Sequence, residues 1–464
     1  MSNTPTEKDG AIYDAKQLGM PKMLVLGLQH MFAMFGATIL VPILVNSYFH
    51  GEGLSIQVTL FFAGIGTLFF HICAKLKVPA FLGSSFAFLG GFATVAELNS
   101  GIFANMTYGE KLPYACGGIV VAGLLYLVLA LVIRLVGVKR VMRFLPPVVT
   151  GPIIICIGLS LAGSAINNAQ TNWFLALVAL LVIIAFNIWG KGMFKIIPIL
   201  MGVLISYAVA LAMQFAGMTN PDGSTIIDFT STASSAWVGL PDFILCKFNL
   251  TSVLVMAPIA IATMMEHIGD MSAISATVGE NFLEDPGLHR TLIGDGLATA
   301  LSAFFGGPAN TTYGENTGVL ELSRVFDPAV IRIAAAYAVV LSFVPKFASI
   351  IGSMPASIIG GVSFILYGMI SAIGIRNVVE NRVDLTNSRN LIIAAVILVC
   401  GLGFSSGLTF EIAGTSITLT SLAIASIAGV LLNAILPGND YEFGVSPEGD
   451  MNRGVTLKAR HRQD

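Results

Sequence analysis

Long apolar segments separated by short polar linkers dominate the pattern of this chain. A helix needs about 20 apolar residues to cross the hydrocarbon core of a bilayer, and many segments reach that length. Candidate spans begin near Met23, Gln57, Pro113, Pro146, Trp173, Ile196, Ser252, Thr291, Val330, Ala356, Leu391 and Thr418. Two shorter apolar stretches, residues 78–95 and 308–323, are rich in small and helix-breaking residues. Counting both predicts about fourteen crossings.

The composition agrees with a chain that faces lipid over most of its surface. Of the 464 residues, 55% are apolar and only 11% are charged, whereas soluble proteins carry roughly 25% charged residues. The net charge of −2 argues against a nucleic-acid partner, which requires a basic face. The five cysteines are scattered without a CxxC pair, so we expect neither a metal site nor a structural disulfide. The first residues are polar and mixed in charge, and we expect no cleavable signal peptide.

Basic residues in the linkers indicate which side of the membrane each linker occupies. With a cytoplasmic N-terminus and about fourteen spans, most lysines and arginines fall inside, as the positive-inside rule requires. If the two short stretches are left out, the basic residues from Arg134 to Lys195 move outside. A polar external loop, residues 218–249, divides the chain into halves of about seven spans each. An odd number per half inverts the second half, so we expect an all-α polytopic membrane protein built as an inverted repeat.

The two short stretches take the third place in each half, and both contain helix breakers. Pro79 and Gly83 lie in the first, and Pro308 and Gly314 lie in the second. Matching interrupted segments in two halves indicate a transporter's binding site, because non-helical backbone at membrane depth must be satisfied by protein or by a polar cavity. Backbone donors and acceptors there suit a planar, uncharged heterocycle. The alternative is a pair of re-entrant structural segments without a ligand.

Carboxylates inside the membrane are costly and indicate functional positions. Glu266 and Asp270 lie one helical turn apart in MMEHIGD, Asp295 lies in the next span, and Glu315 lies in the second interrupted stretch. Carboxylates that share a low-dielectric site repel one another, so we expect at least one to hold a proton, as a proton-coupled carrier requires. A carboxylate also accepts two N–H bonds from the edge of a base. His267 is either a proton relay or a histidine satisfied by a backbone carbonyl.

Two other classes of protein stay open at this point. A channel would carry flux without saturation or competition, and an intramembrane enzyme would form product in detergent. No catalytic constellation is visible, and MMEHIGD lacks the pair of histidines at i and i+4 that a zinc protease helix needs. We therefore expect a transporter rather than an enzyme, with no metal and no cofactor other than a coupled proton.

The chain resembles the nucleobase–ascorbate transporter family, also called nucleobase:cation symporter family 2, and in particular its bacterial uracil permeases. The resemblance runs from LQHMFAMFGATILVP through VPAFLGSSFAF, MMEHIGD, EDPGLHR and PANTTYGENTGV to GGVSFILYGMI. It implies about fourteen spans, with short strands in the broken third and tenth spans, and a core domain that moves past a gate domain like an elevator. The implied divisions are an N-terminal cytoplasmic tail (1–20), a first core segment (21–137), a first gate segment (138–217), the external loop (218–249), a second core segment (250–352), a second gate segment (353–438) and a cytoplasmic tail (439–464).

The resemblance also implies roles for individual residues. Glu266 and Glu315 match the two carboxylates that hold uracil, while Phe86 and Gly314 match positions that offer backbone groups. The other implied residues are further substrate-site positions (Ala37, Ser85, Tyr313 and, on the gate side, Tyr367), proton-coupling positions (Asp270, Asp295 and His267) and residues that support the motif (Asn316, Gly318 and Arg324).

Two departures from the uracil permeases bear on the substrate. Asp270 stands where those proteins usually have histidine, and Asp295 stands where they often have asparagine. Aspartate at both positions resembles the xanthine and uric acid carriers, which generally have glutamine in place of Glu315. The expected function is proton-coupled import of uracil, and the alternative is a xanthine, uric acid or dual uracil–xanthine permease. Coupling is expected to depend on Asp270.

The resemblance places the chain in a bacterial inner membrane as a multi-pass protein with both termini in the cytoplasm. The expected partners are a small-molecule nucleobase and membrane lipid, with no nucleic acid. Members of the family often pair through the gate domain, so a homodimer is a further expectation.

Overall fold

The computed structural model describes residues 11–412 and 415–438, and it is mostly helical. The described helices, numbered in chain order, are α1 (Met20–Tyr48), α2 (Ile56–Cys73), α3 (Leu89–Ala96), α4 (Tyr108–Val136), α5 (Val138–Met142), α6 (Pro147–Leu159), α7 (Ala162–Ala169), α8 (Trp173–Trp189), α9 (Met193–Ile196), α10 (Pro198–Phe215), α11 (Thr230–Ser234), α12 (Leu250–Met256), α13 (Ala260–Val278), α14 (Leu288–Phe304), α15 (Gly314–Ser323), α16 (Pro328–Ser342), α17 (Pro345–Gly352), α18 (Ala356–Glu380), α19 (Ser388–Gly403) and α20 (Ser421–Ile435). The strands are β1 (Leu82–Ser84), β2 (Asn310–Thr312), β3 (Leu408–Ile412) and β4 (Thr415–Leu419).

The described helices include 7 spans that are long and apolar enough to cross a membrane, or up to 8 if the bent pair α16 and α17 counts as one. The 7 are Met20–Tyr48, Ile56–Cys73, Tyr108–Val136, Pro147–Ala169, Pro198–Phe215, Leu250–Val278 and Ala356–Glu380. The helices α8, α19 and α20 are apolar but shorter. The protein is thus a multi-pass membrane protein, and the larger count of about fourteen spans stays a prediction.

Glycines allow the helices to pack closely, as is common between membrane helices. A Cβ on Gly123 of α4 would lie 2.6 Å from the Gly296 carbonyl oxygen of α14, so these two helices approach almost backbone to backbone. Likewise, a Cβ on Gly361 of α18 would lie 2.2 Å from the Ala176 carbonyl oxygen of α8. One group of helices packs around α2, α4, α14 and α16, and a second group packs around α6, α8, α10 and α18.

Two antiparallel strand pairs interrupt the helical structure. In the first, β1 pairs with β2, so that Leu82 faces Thr312, Gly83 faces Thr311 and Ser84 faces Asn310. In the second, β3 pairs with β4 just before α20. The sequence pattern did not predict this second pair, and it placed the start of the last span near Thr418, within β4. The alternation of β-branched and aromatic residues there favours strands, and the helix begins only at Ser421.

The chain segment before α1 is packed against the protein from residue 11 onward. The Ile12 N–H donates to the Arg324 carbonyl at 2.8 Å, and the Phe326 N–H donates to the Ile12 carbonyl at 2.8 Å. The Ala15 N–H donates to Asp327 Oδ2 at 2.8 Å. The rest of the predicted N-terminal tail, residues 1–10, and the whole predicted C-terminal tail, residues 439–464, lie outside the described residues.

Candidate functional site

The pairing of β1 with β2 joins the two interrupted stretches. The Ser85 N–H donates to the Ala309 carbonyl at 2.8 Å, and the Tyr313 N–H donates to the Phe81 carbonyl at 3.0 Å. Each strand is followed within a few residues by a short helix, α3 after β1 and α15 after β2. The first N–H groups of a helix have no partner within the helix and carry partial positive charge. Two helix N-termini therefore lie next to one strand pair, where they offer backbone donors.

A threonine from a neighbouring helix holds the first residue of each strand. Thr67 Oγ1 of α2 accepts from the Leu82 N–H at 2.9 Å, and its hydroxyl proton is shared between the Ala63 carbonyl at 2.7 Å and the Leu82 carbonyl at 3.2 Å. Thr299 Oγ1 of α14 donates to the Asn310 carbonyl at 2.9 Å, and the Asn310 N–H donates back at 3.1 Å. A threonine hydroxyl thus accepts the first N–H of each strand.

Thr67→Val and Thr299→Val are each expected to lower the free energy of unfolding by about 1–3 kcal/mol, because each leaves a buried backbone N–H and C=O without the hydroxyl. Denaturant unfolding of the purified protein in detergent measures the change. Thr94→Val is the matched control, since its hydroxyl bonds only to Gly90 within α3. A loss from one substitution but not from the other would contradict equivalent roles for the two threonines.

Tyr313 closes the strand pair from one side. Its hydroxyl donates to the Ser84 carbonyl at 2.9 Å, and Ser84 Oγ donates to the Thr38 carbonyl of α1 at 2.7 Å. The Tyr313 ring lies directly over Gly83, where an added Cβ would approach ring atoms to 2.4 Å. Any side chain at position 83 would therefore collide with the Tyr313 ring in its present position.

Gly83→Ala is expected to displace the Tyr313 ring and to weaken substrate binding by about tenfold or more, since even about 1.4 kcal/mol of strain at the site corresponds to tenfold. A Cβ meets Tyr313 at 2.4 Å and Thr38 Oγ1 at 2.7 Å. Gly163→Ala in α7 is the control, because nothing lies within 4 Å of the added carbon there. Equilibrium binding of radiolabelled substrate to both variants checks this, and equal affinities would refute the role of Gly83.

The helix α13 brings two carboxylates to the strand pair. Asp270 is buried, and its Oδ2 accepts a hydrogen bond from Thr312 Oγ1 of β2 at 2.8 Å. Glu266 lies one turn away, and its buried Oε2 has no hydrogen-bond partner among the described residues. The helices α13 and α15 are in contact, and Glu315 lies in the first turn of α15, so it is carried by a helix that packs against the one bearing Glu266. Glu266 therefore has an acceptor oxygen that a ligand N–H could satisfy.

Asp295 lies opposite His267, an arrangement that the sequence analysis did not anticipate. His267 Nδ1 of α13 is 3.0 Å from Asp295 Oδ2 of α14, and both side chains are fully buried. The alternative of a histidine satisfied by a backbone carbonyl has no support here, because no such bond occurs among the described residues. No sequence motif signals this contact, since 28 positions and an intervening turn separate the two residues.

The remaining substrate-site candidates lie in α1, just before α3, at the start of α15 and in α18. Phe86 is buried, and its ring lies edge-on to Tyr367 of α18 with ring centroids 5.9 Å apart. Ser85 Oγ is buried without a hydrogen-bond partner among the described residues. Ala37 is buried in α1, which packs against both β1 and α3. Gly314 lies beside α18, where an added Cβ would be 3.3 Å from Ile373.

A cavity of about 120 Å³ lies between the start of α3 and the second group of helices. It borders Phe86 and Gly90 on one side and residues of the α6–α7 turn, α19 and the start of α20 on the other, including Ser160 and Ser421. Of the site candidates, Phe86 lines this cavity, whereas Glu266, Asp270 and Glu315 do not.

The motif-supporting residues do not all reach the strand pair. Asn316 is buried in α15, and its Nδ2 donates to the His30 carbonyl at 3.0 Å, which ties α15 to α1. Gly318 faces open space. Arg324 follows the last turn of α15 in a left-handed conformation with φ of 53°, and its carbonyl accepts the Ile12 N–H described above. Asn316 is thus the residue of the three whose side chain ties α15 to α1.

Solved structures of transporters share this fold. The transmembrane domain of the cyanobacterial bicarbonate transporter BicA superposes with a TM-score of 0.61 at 14% identity, covering 85% of this chain and 97% of that one. The structure of SLC26A9 superposes with a TM-score of 0.64 at 13% identity, covering 91% of this chain and 66% of that one. At such identities the likeness establishes the fold alone.

Sequence comparison defines the class of the protein and then its family. A family model described as "Permease family" matches residues 21–410. The chain is 41% identical over 430 residues to a uracil permease of Bacillus caldolyticus, covering 89% of this chain and 92% of that protein. It is also 36% identical over 441 residues to the putative pyrimidine permease RutG of Escherichia coli (strain K12), covering 94% of each. The molecule is a multi-pass membrane transporter, not an enzyme. It belongs to this permease family, which confirms the resemblance described above.

Proposed function

We propose that the protein is a proton-coupled symporter that imports a nucleobase, with uracil as its substrate. The observation that carries this proposal is the meeting of Glu266 and Glu315 with two helix N-termini at the β1–β2 pair. The names of the relatives support the same substrate class, since they include uracil permeases and a putative pyrimidine permease.

The chemistry of the site matches the edge of uracil. Uracil is planar and uncharged, and its ring alternates N–H donors with C=O acceptors. The unpartnered Oε2 of Glu266 supplies an acceptor for one N–H. The N-terminal amides of α3 and α15 supply donors for the carbonyls. Phe86 and Tyr367 supply aromatic surface for the face of the ring.

We also propose the finer architecture of about fourteen spans in two inverted halves. The strand pair supports it, because β1 and β2 come from the two halves of the chain and each is followed by a short helix, α3 and α15. A threonine hydroxyl also accepts the first N–H of each strand, Thr67 from Leu82 and Thr299 from Asn310.

Transport would proceed by an elevator movement of a core domain (21–137 and 250–352) past a gate domain (138–217 and 353–438). The grouping of the helices supports this division, as do the contacts of Phe86 with Tyr367 and of Gly314 with Ile373 across the boundary. The proposed setting is a bacterial inner membrane with both termini in the cytoplasm, and a homodimer through the gate domain is included in the proposal.

Asp270 is the proposed proton-coupling residue, and the buried pair of His267 and Asp295 assists it. Asp270 bonds directly to Thr312 of β2, so a change in its protonation reaches the strand that precedes α15 and Glu315. A proton on Asp270 would also relieve the repulsion of Glu266. Proton and substrate binding would thereby be linked.

A xanthine or dual uracil–xanthine permease is the second candidate, and the aspartates at positions 270 and 295 favour it. Uptake of radiolabelled uracil in cells without their own nucleobase carriers separates the two. Saturable uptake that excess unlabelled xanthine and uric acid do not reduce supports uracil. Strong competition by xanthine supports the second candidate, and the absence of saturable uracil uptake refutes the first.

A further inference from the structure

An open groove of about 720 Å³, which no residue of β1 or β2 lines, lies between the end of α4, the short helix α5 and the end of α20. Its lining residues are Val132, Val136, Arg140, Val141, Arg143, Phe144, Asn433, Ala434, Ile435, Leu436, Pro437 and Gly438. Most of them are apolar, two are arginines and none is acidic. The groove lies at the end of the bundle that the positive-inside rule assigns to the cytoplasm.

The apolar walls of the groove continue the surface that faces lipid. Val132 and Val136 lie in the last turns of α4, and Ile435 ends α20 with 74% of its surface exposed. On the same helix, Val128, Leu131 and Leu135 are also exposed. An acyl chain that lies against α4 in the bilayer could therefore enter the groove without leaving an apolar surface.

The side chain of Asn433 in the floor of the groove is already hydrogen-bonded within the protein. Asn433 is buried, and its Nδ2 donates to the carbonyls of Arg143 and Phe144 at 3.0 and 3.2 Å. Asn433 Oδ1 accepts from Arg389 Nη2 at 2.9 Å. The floor therefore connects α20, α19 and the segment after α5, and it offers little further hydrogen bonding to a ligand.

Arg140 supplies the uncompensated charge of the groove. It is exposed on α5, and no hydrogen bond or ion pair of its guanidinium occurs within the described ranges. With no acidic side chain in the lining, the groove combines a positive mouth with apolar walls. A guanidinium binds a phosphate diester through two parallel N–H bonds, and basic pockets between membrane helices bind anionic lipid headgroups.

We propose that this groove binds an anionic phospholipid, with its phosphate on Arg140 and an acyl chain between α4 and α20. The positive charge of Arg140 favours an anionic headgroup, and the apolar walls of the groove favour a ligand in which a hydrocarbon chain is attached to that headgroup. The site lies where the proposed core domain ends and the gate domain begins, so a bound lipid contacts both. The binding itself does not depend on the transported substrate.

Titration of the purified full-length protein with phosphatidylglycerol, followed by native mass spectrometry, tests the site. Arg140→Gln is expected to weaken phosphatidylglycerol binding about tenfold, the effect of losing about 1.4 kcal/mol from a charge-assisted contact. Lys139→Gln is the matched control, because it removes an equal charge from α5 outside the groove. Phosphatidylcholine is expected to bind more weakly than phosphatidylglycerol.

Three results with these variants and lipids would overturn the proposal, and a fourth comes from inorganic phosphate. They are equal loss of binding in both variants, unchanged binding in Arg140→Gln, and equal affinity for phosphatidylcholine. Binding of inorganic phosphate as tight as that of phosphatidylglycerol would also refute it, since the walls would then contribute nothing. Arg140→Lys is a second variant that retains the charge, and it is expected to recover some of the affinity. The thermal midpoint of each variant verifies that the fold is unchanged.

Discussion

Uracil binding is expected to become about 100-fold weaker in Glu266→Gln, with the fold intact. The buried Oε2 of Glu266 has no protein partner among the described residues, so it is available to accept an N–H of uracil. Glutamine cannot carry the negative charge, and it has an NH2 donor in place of one of the two acceptor oxygens. A hydrogen bond to a charged group contributes about 1.5–3 kcal/mol, and about 1.4 kcal/mol corresponds to tenfold in affinity. Equilibrium binding of radiolabelled uracil to purified protein measures the loss.

Glu321→Gln is the matched control for this experiment. Glu321 lies on α15 in the same half of the chain, but its side chain is exposed. The control is expected to bind uracil as the unaltered protein does. If Glu266→Gln also bound uracil normally, the assignment of the substrate site would be wrong. If both variants lost binding, general charge rather than the position of Glu266 would be responsible.

Asp270→Asn is expected to uncouple uracil movement from protons while binding changes by less than about tenfold. Asparagine keeps a side-chain oxygen that can accept the Thr312 hydroxyl bond, so the contact with β2 survives. What it removes is the group that binds and releases a proton. Uptake in the variant is therefore expected to equilibrate uracil across the membrane without accumulation, whatever the pH outside.

Thr312→Val tests whether proton coupling depends on the carboxyl group of Asp270 or on its hydrogen bond to Thr312. This variant removes the bond to Asp270 Oδ2 but keeps the carboxyl group. It is expected to retain accumulation driven by a proton gradient, at a lower rate. Unchanged pH dependence in Asp270→Asn, together with lost binding, would show that Asp270 is a substrate ligand and not a coupling residue.

The sequence allowed the interrupted segments to be located because their signals are local. Proline and glycine in residues 78–95 and 308–323 break helices, and the structure has β1 with α3 in the first and β2 with α15 in the second. The carboxylates on α13 were equally visible, since charge within an apolar segment stands out without any knowledge of tertiary contacts. The family resemblance then assigned roles to them that neither composition nor spacing could supply.

Contacts between distant segments could not be predicted in this way. The approach of His267 to Asp295 depends on how α13 packs against α14, and the bonds of Thr67 and Thr299 depend on where the strands begin. The β3–β4 pair was missed because its residues are apolar enough to extend the following span in a hydropathy profile. Periodicity alone does not distinguish short apolar strands from the start of a helix.

Proton-driven accumulation of uracil in proteoliposomes tests the central claim most directly. Purified protein is reconstituted, a pH gradient is imposed with the acid side outside, and internal radiolabelled uracil is measured with and without a protonophore. Proton-coupled symport predicts that uracil accumulates above its external concentration, that the protonophore abolishes this accumulation, and that Glu266→Gln shows none. Saturable uptake that only equilibrates uracil, and that is indifferent to the gradient, would contradict proton-coupled symport.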